Sequence, residues 1–331
     1  MNIVLLSLLF TCSFIITGLI TPLLIKKMKK RGLVGKDMNK PGKPSVPELG
    51  GIAVWLGFSA AIMLSIFFYS YLSQPELNLT ALLAGFSTIA IVGFLGLVDD
   101  LLGWRDGMRQ WQHALVPMFA ALPLMAININ NPPFYIPLVG YVSLGVYYSL
   151  VLVPVGITGA SNATNMLAGL NGLEAGLGIL IISTLTLIAA MNNGIEAVVI
   201  GLALLGALAA FLYYNKFPAR VFGGDSLTLM AGAGIATMAI IGNLEKIGIL
   251  LMALYFVELF FKAKHRFQSE CFGVPQKDGT LKADPRGGSL TQWVMRRGKF
   301  TETKVVLIIL AMQALICLTV FLLSFFQKVY I

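Results

Sequence analysis

Residues 3–31, IVLLSLLFTCSFIITGLITPLLIKKMKKR, decide the fold class: an apolar run reaching Ile25 is followed at once by Lys26, Lys27, Lys29, Lys30 and Arg31. About 20 apolar residues in a helix cross the hydrocarbon of a bilayer, and this run is that long. It is too long for the apolar core of a cleaved signal and contains no small-residue cleavage site. Lys and Arg are retained on the cytoplasmic side, so cations placed after the helix orient its N-terminus outside.

The remainder of the chain has the same character. Of 331 residues, 57% are hydrophobic and 12% charged, with a mean hydropathy of +0.83. A soluble domain carries about a quarter charged residues, and halving that share leaves too little polar surface to cover a globule in water. Apolar runs fall near 3–25, 50–72, 80–98, 114–128, 136–155, 173–191, 195–213, 227–243, 246–262 and 304–326. The expected fold is therefore all-α: a polytopic integral membrane protein of about ten transmembrane helices, forming a single domain over 1–331. The run 114–128, short and carrying Pro117 and Pro123, is its weakest member.

Helix parity tests this count. With both termini outside, the inside loops are roughly 26–49, 99–113, 156–172, 214–226 and 262–304. They hold every Lys and Arg of the chain's 24 except Lys246 and Lys328. A wrong count would scatter these charges over both faces. Outside connections such as Asn192-Asn193-Gly194 and Gly242-Asn243 read as tight turns. In the last inside loop, Val274–Ala283 has Asp278-Gly279 between short flanks, which reads as a small β-hairpin. Irregular polar backbone is thus concentrated on one face, where a rigid scaffold can position it for function.

The chemistry-bearing residues lie on that face. Asp99 and Asp100 close the third span in GFLGLVDDLLGWRDGMRQ, and Asp225 opens the eighth in ARVFGGDSLTLMAG. Carboxylates against hydrocarbon are costly and functional by default, although interfacial helix ends also carry them. Adjacent aspartates raise each other's pKa unless a cation is near, which favours a bound divalent metal. In TGASNATNMLAGLNGLEAG, Asn162 and Asn165 share one face if the stretch is helical, and Asn171 follows. Such amides suit Mg²⁺ ligation or hydrogen bonds to a planar base, and they equally suit a polar capping turn. Glu174 offsets a helix N-terminus, and Glu258, one turn before Lys262, can pair with it. Around the carboxylates stand Arg105, Arg109, Arg220, Lys264, Arg266 and the cations of 26–43, with His265 beside them. A basic rim about an acidic, metal-suited centre fits a phosphoanhydride substrate. For 26–31, charge retention and attraction to anionic lipid suffice. His113, at the start of the fourth span, reads as structural. Three cysteines without metal-ligand spacing imply neither a disulfide framework nor a metal site. Charge spread over membrane-proximal loops without a soluble module excludes nucleic acid as a partner.

KDMNKPGKPSVPELGG, LVDDLLGWRDGMR, SNATNMLAGLNGLEAG, NKFPARVFGGDS and KAKHR occur in this order over nearly the whole chain. Together they resemble the polyprenyl-phosphate N-acetylhexosamine-1-phosphate transferases, a family that includes the bacterial MraY and WecA enzymes and the dolichyl-phosphate GlcNAc-1-phosphotransferases. NATNMLAGLNGLEAG is most similar to the dolichyl branch, and the single His265-Arg266 departs from the triple histidine of MraY. The resemblance implies Mg²⁺-dependent (or Mn²⁺-dependent) transfer of a sugar phosphate from a UDP-N-acetylhexosamine to a polyprenyl or dolichyl phosphate, with release of UMP. By resemblance Asn165 and Asp225 ligate the metal, and Asp99, Asp100 and Asp225 form the catalytic centre. Arg109 stands where the dolichyl branch has a phosphate-binding lysine, and Lys264 replaces the first Arg of Arg-His-Arg. His265 and Arg266 grip pyrophosphate and the N-acetyl sugar, Asn171 meets uracil, Asn162 lines the nucleotide site and Glu48 closes the sugar pocket. The implied setting is a plasma membrane, of archaeal type, with the site facing the cytoplasm among membrane lipids and a homodimer as an option. The competing readings are an undecaprenyl-phosphate enzyme with another UDP-sugar and a transporter of an anionic solute. Transporters favour repeated halves and midplane sites, and neither is visible.

Overall fold

The structure is a computed structural model and describes residues 2–72, 77–102, 110–127, 134–136, 140–142 and 144–327. It is mostly helical. Helix α1 (Ile3–Arg31) is followed by the antiparallel pair β1 (Val34–Lys36) and β2 (Ser45–Pro47), then α2 (Gly51–Tyr71) and α3 (Leu79–Leu102). Short α4 (Gln110–Ala120) and α5 (Leu122–Ala126) precede the pair β3 (Phe134–Ile136) and β4 (Gly140–Val142). A π-helical turn at Tyr148–Leu152 runs into α6 (Val153–Met166), followed by α7 (Leu173–Met191), α8 (Ile195–Asn215) and α9 (Asp225–Ile241). The chain ends with α10 (Glu245–Leu251), α11 (Ala253–Lys264), the pair β5 (Val274–Pro275) and β6 (Leu281–Lys282), α12 (Leu290–Met295) and α13 (Glu302–Gln327).

Six of these helices, α1, α2, α3, α7, α8 and α13, are long and apolar enough to cross a membrane. The other expected runs hold shorter helices, of which α9 is one continuous piece. The run 114–128 divides at Ala121, with Pro123 in the first turn of α5, where its missing N–H is harmless. The run 246–262 divides at Met252 into α10 and α11. The fifth expected span, 136–155, is displaced. Phe134–Ile136 and Gly140–Val142 pair as strands, and helical backbone instead continues to Met166. The expected loop 156–172 is correspondingly mostly helix. Apolar count alone could not see this, because SNATN is too polar to register as part of a span.

Helix α9 is the axis of the bundle. It is buried at every position from Ser226 to Ile240, as befits a helix apolar all round. Helices α3 and α6 pack closely against it. Small residues allow this approach, as they do wherever helices associate in lipid. A Cβ at Gly232 would lie 2.3 Å from the Ala160 carbonyl oxygen. Thr164 Oγ1 donates across the same contact to the Thr228 carbonyl at 2.7 Å.

Candidate active site

The site is built at the N-terminal end of α9. Backbone hydrogen bonds knit the segment after β2 to the approach of α9: Phe222 N donates to Pro47 O at 2.8 Å, while Gly50 N and Gly51 N donate to Phe222 O and Gly223 O, each at 2.9 Å. This join carries Glu48 to the start of α9. From the other side α3 presents Asp100, whose Oδ1 accepts from Asp225 N at 2.7 Å and whose Oδ2 accepts from Ser226 N at 3.0 Å. One carboxylate thus satisfies two of the four N–H groups that a helix start leaves orphaned, and its charge complements the helix dipole. Such proximity needs glycine. Gly224 has φ +70°, and a Cβ there would strike the Asp100 carboxylate.

Asn165, on the last turn of α6, donates from Nδ2 to Asp225 Oδ2 at 3.1 Å. The Asp99 side chain also stands against the Asp225 carboxyl. A contact between two carboxyls requires something positive between them, either a shared proton or a cation. Burial, and then the charge of Asp100, raise the Glu48 carboxyl above the usual carboxylate range. Three aspartates and one amide therefore meet at the head of α9, with Glu48 near enough to feel the Asp100 charge. Among the described residues, no three His, Cys, Asp or Glu side chains form a metal cage by themselves. Mg²⁺ in general keeps several waters and takes one or two carboxylates plus substrate phosphates. For Asn165 to ligate it, the amide would turn its oxygen inward, a choice that hydrogen positions leave open.

The other candidate residues are engaged elsewhere or stand exposed. Asn162 turns back on its own helix, Nδ2 donating to Thr158 O at 2.9 Å. His265 holds Nδ1 2.9 Å from Phe261 O, and a Cβ on Gly288 would overlap its ring. Arg266 is exposed, with φ +55°. Arg105 and Arg109 lie outside the described residues.

Asn171 is the surprise. It is buried, and its amide is engaged within the protein. Oδ1 accepts from Lys40 Nζ at 2.6 Å and from Ala219 N at 2.7 Å, and Nδ2 donates to Asp37 Oδ2 at 3.2 Å. Its backbone N–H donates to Glu302 Oε1 at 2.8 Å. Lys40 pairs with Asp37 and lies 3.9 Å from Glu302. Asn39 adds a bridge, from Nδ2 to Gly169 O at 2.8 Å and from Gly273 N to Oδ1 at 2.9 Å. This network joins the β1–β2 turn, the α6–α7 loop, the α8–α9 loop and the start of α13. Asp37, Asn39 and Glu302 were not singled out from the sequence, and Lys40 was read only among the cations of 26–43. The only signal was the density of polar side chains in KDMNK, which carries no hint of partners over a hundred residues away.

A third cluster anchors the last loop. Glu258, fully buried, accepts from Ser289 Oγ at 3.0 Å and Leu290 N at 2.6 Å, and lies 3.8 Å from Lys262. The expected Glu258–Lys262 pair is present, and it also holds the segment leading into α12.

Residues 82–243 match the model of glycosyl transferase family 4. A protein of Saccharolobus solfataricus, provisionally named a UDP-N-acetylglucosamine–dolichyl-phosphate N-acetylglucosaminephosphotransferase, is 36% identical over 92% of both chains. The chain belongs to this family. A Sulfolobus acidocaldarius protein with the same provisional name is also 36% identical, over 91% of each chain. Further out, a phospho-N-acetylmuramoyl-pentapeptide-transferase of Latilactobacillus sakei is 31% identical over 74% of this chain and 78% of its own. Membership makes the chain a sugar-phosphate transferase. The centre at the start of α9 lies inside the matched region, whereas Glu48 and the Glu258 cluster lie outside it.

Proposed function

We propose that the protein transfers N-acetylglucosamine 1-phosphate from UDP-N-acetylglucosamine to a dolichyl or other polyprenyl phosphate, the reaction in the names of its archaeal relatives. An oxygen of the lipid phosphate attacks the β-phosphorus of the sugar nucleotide. The bond from that phosphorus to the bridging oxygen breaks, and UMP leaves with the electron pair. The observation that carries this reading is the convergence of Asp99, Asp100 and Asn165 on Asp225 at the head of the central helix. Phosphoryl transfer asks for positioning and charge neutralisation more than covalent work. Asp225 and Asn165 would hold Mg²⁺ or Mn²⁺, which when bound neutralises phosphate oxygens. Asp100 holds Asp225 in place through the backbone. Asp99 orients the acceptor phosphate, which needs no strong base because its second pKa is about 6. His265 and Arg266 take the donor's pyrophosphate and sugar, with Arg109 as a further phosphate contact, while Asn162 lines the nucleotide side.

Ten crossings, with the shorter helices completing six long ones, and a site on the cytoplasmic face of a plasma membrane belong to the same proposal. In support, the contacting residues come from three separate segments, all expected inside. The contacts of Asn171 favour a role in shaping the nucleotide pocket rather than in reading the base alone.

The test is UMP release by the purified full chain. UDP-N-acetylglucosamine, UDP-N-acetylgalactosamine and UDP-N-acetylmuramoyl-pentapeptide would each be paired with dolichyl and undecaprenyl phosphate, with and without chelator. Turnover is expected with UDP-N-acetylglucosamine, to vanish on chelation, and to fall at least about 100-fold in Asp225→Ala, as loss of a principal transition-state contact does. Turnover confined to the muramoyl-pentapeptide donor, or undiminished in Asp225→Ala, would overturn the reading.

A further inference from the structure

At the cytoplasmic-side end of α8, an aromatic corner presents two cations to the outside of the bundle. The Arg220 guanidinium lies 4.8 Å from the centroids of both Tyr213 and Tyr214, whose rings meet edge to face at 84°. Lys216 Nζ stands 5.2 Å over the Tyr213 ring. Arg220 is pinned further by Nη2 donating to Tyr213 O at 3.1 Å, and Tyr214 is fixed by its hydroxyl donating to Gly18 O of α1 at 3.0 Å. Arg220, Lys216, Tyr213 and Phe217 are all exposed. Among the described residues, neither cation has an acidic partner within ion-pair distance.

Two cations held on aromatic faces without a counter-charge form a preorganised anion reader. A guanidinium so fixed loses little freedom on meeting a phosphate, which its planar fork matches in a bidentate way. Position narrows the anion. Exposed Tyr213 and Phe217 at a helix end are side chains of the headgroup level. Helix α1 runs parallel to α8, with Ser13 on Ala203 and Gly18 on Tyr214. Its cations Lys26, Lys27, Lys29, Lys30 and Arg31 therefore lie on the same side. The first of them is about 12 Å beyond Gly18 by helix rise.

We propose that Arg220, Lys216 and the Tyr213–Tyr214 corner form a binding site for the phosphodiester headgroup of an anionic membrane lipid in the leaflet beside the site, with the α1 cations widening its field. Two lines favour a lipid over a soluble anion: the exposed aromatic rims that would meet glycerol and acyl chains, and the placement at a helix end.

The test is native mass spectrometry of the full chain in neutral detergent, titrated with phosphatidylglycerol, phosphatidylcholine or inorganic phosphate. Saturable binding of phosphatidylglycerol is expected, with phosphatidylcholine and inorganic phosphate failing to compete. Affinity should fall roughly five-fold per cation removed in Lys216→Gln and Arg220→Gln. Tyr213→Ala, which keeps every charge, should weaken binding too, whereas Tyr213→Phe, which keeps the ring, should not. Equal binding by Arg220→Gln and wild type would overturn the proposal. So would competition by inorganic phosphate, or a loss in Tyr213→Phe as large as that in Arg220→Gln. If Tyr213→Ala does not fold, the glutamine variants and Tyr213→Phe decide the matter.

Discussion

Asp100 shows how one side chain sets a site without standing at its centre. Its two oxygens each take a backbone N–H at the start of α9, and hydrogen bonds to a charged group contribute about 1.5–3 kcal/mol each. Asp100→Ala should therefore lower the thermal midpoint of unfolding and cut UMP release by at least tenfold. Asp100→Asn, which keeps one acceptor, should fall between it and wild type; equal stability of Ala and wild type would show that the cap carries no weight. Glu48 gives the pH counterpart. Its folded carboxyl binds a proton more tightly than the unfolded one, through burial first and the Asp100 charge second. Stability is thus lost as pH rises above the ordinary carboxylate pKa of about 4.3 and up through the raised folded value. Glu48→Gln should match wild type below that window and be the more stable protein above it, as measured by thermal unfolding across pH. A wild-type advantage at neutral pH would contradict this. Asp99, Asp100 and Asp225 were legible as candidates from residue type and place. The tethering of Asn171 was not, because an amide's partners are chosen by the chain that folds over it.

Elements meet at the site because glycine lets them. A Cβ at Gly96 of α3 would lie 2.5 Å from the Asp225 carbonyl oxygen, and one at Gly51 of α2 would lie 2.3 Å from Ser226 Oγ. Both glycines bring neighbouring helices to the backbone of α9. Overpacking at such contacts costs about 1–3 kcal/mol. Gly96→Ala should accordingly destabilise the protein and reduce turnover at saturating substrate, since α3 carries Asp99 and Asp100. Unchanged kcat would show that the helices adjust without moving the carboxylates. The long apolar helices were readable by length alone. The displaced fifth span and the divided ninth were not: polar SNATN continues a helix because α9 accepts its Asn165 amide and Thr164 hydroxyl, and that neighbour lies sixty residues on.

Across the whole molecule, two buried polar clusters lock the loops over the bundle, one through Asp37, Lys40, Asn171 and Glu302, the other through Glu258. The second has a built-in reporter. Cys271 is buried, 3.6 Å from Glu258 and 3.3 Å from Ser289, and burial pushes its thiol up to about 11. It should stay unreactive to maleimide at neutral pH, because the thiolate is the nucleophile. Glu258→Ala should speed its labelling by releasing Ser289 and Leu290. Equal labelling rates would mean that other contacts hold the last loop. By itself the sequence determined the solvent of this protein and the family to which it belongs. Those properties are local, being sums over runs of residues or motifs a few residues long. Only the tertiary structure decided which carboxylate caps which helix and which amide is spent inside the protein. Those contacts join residues over a hundred positions apart, and no period or spacing in the chain records them.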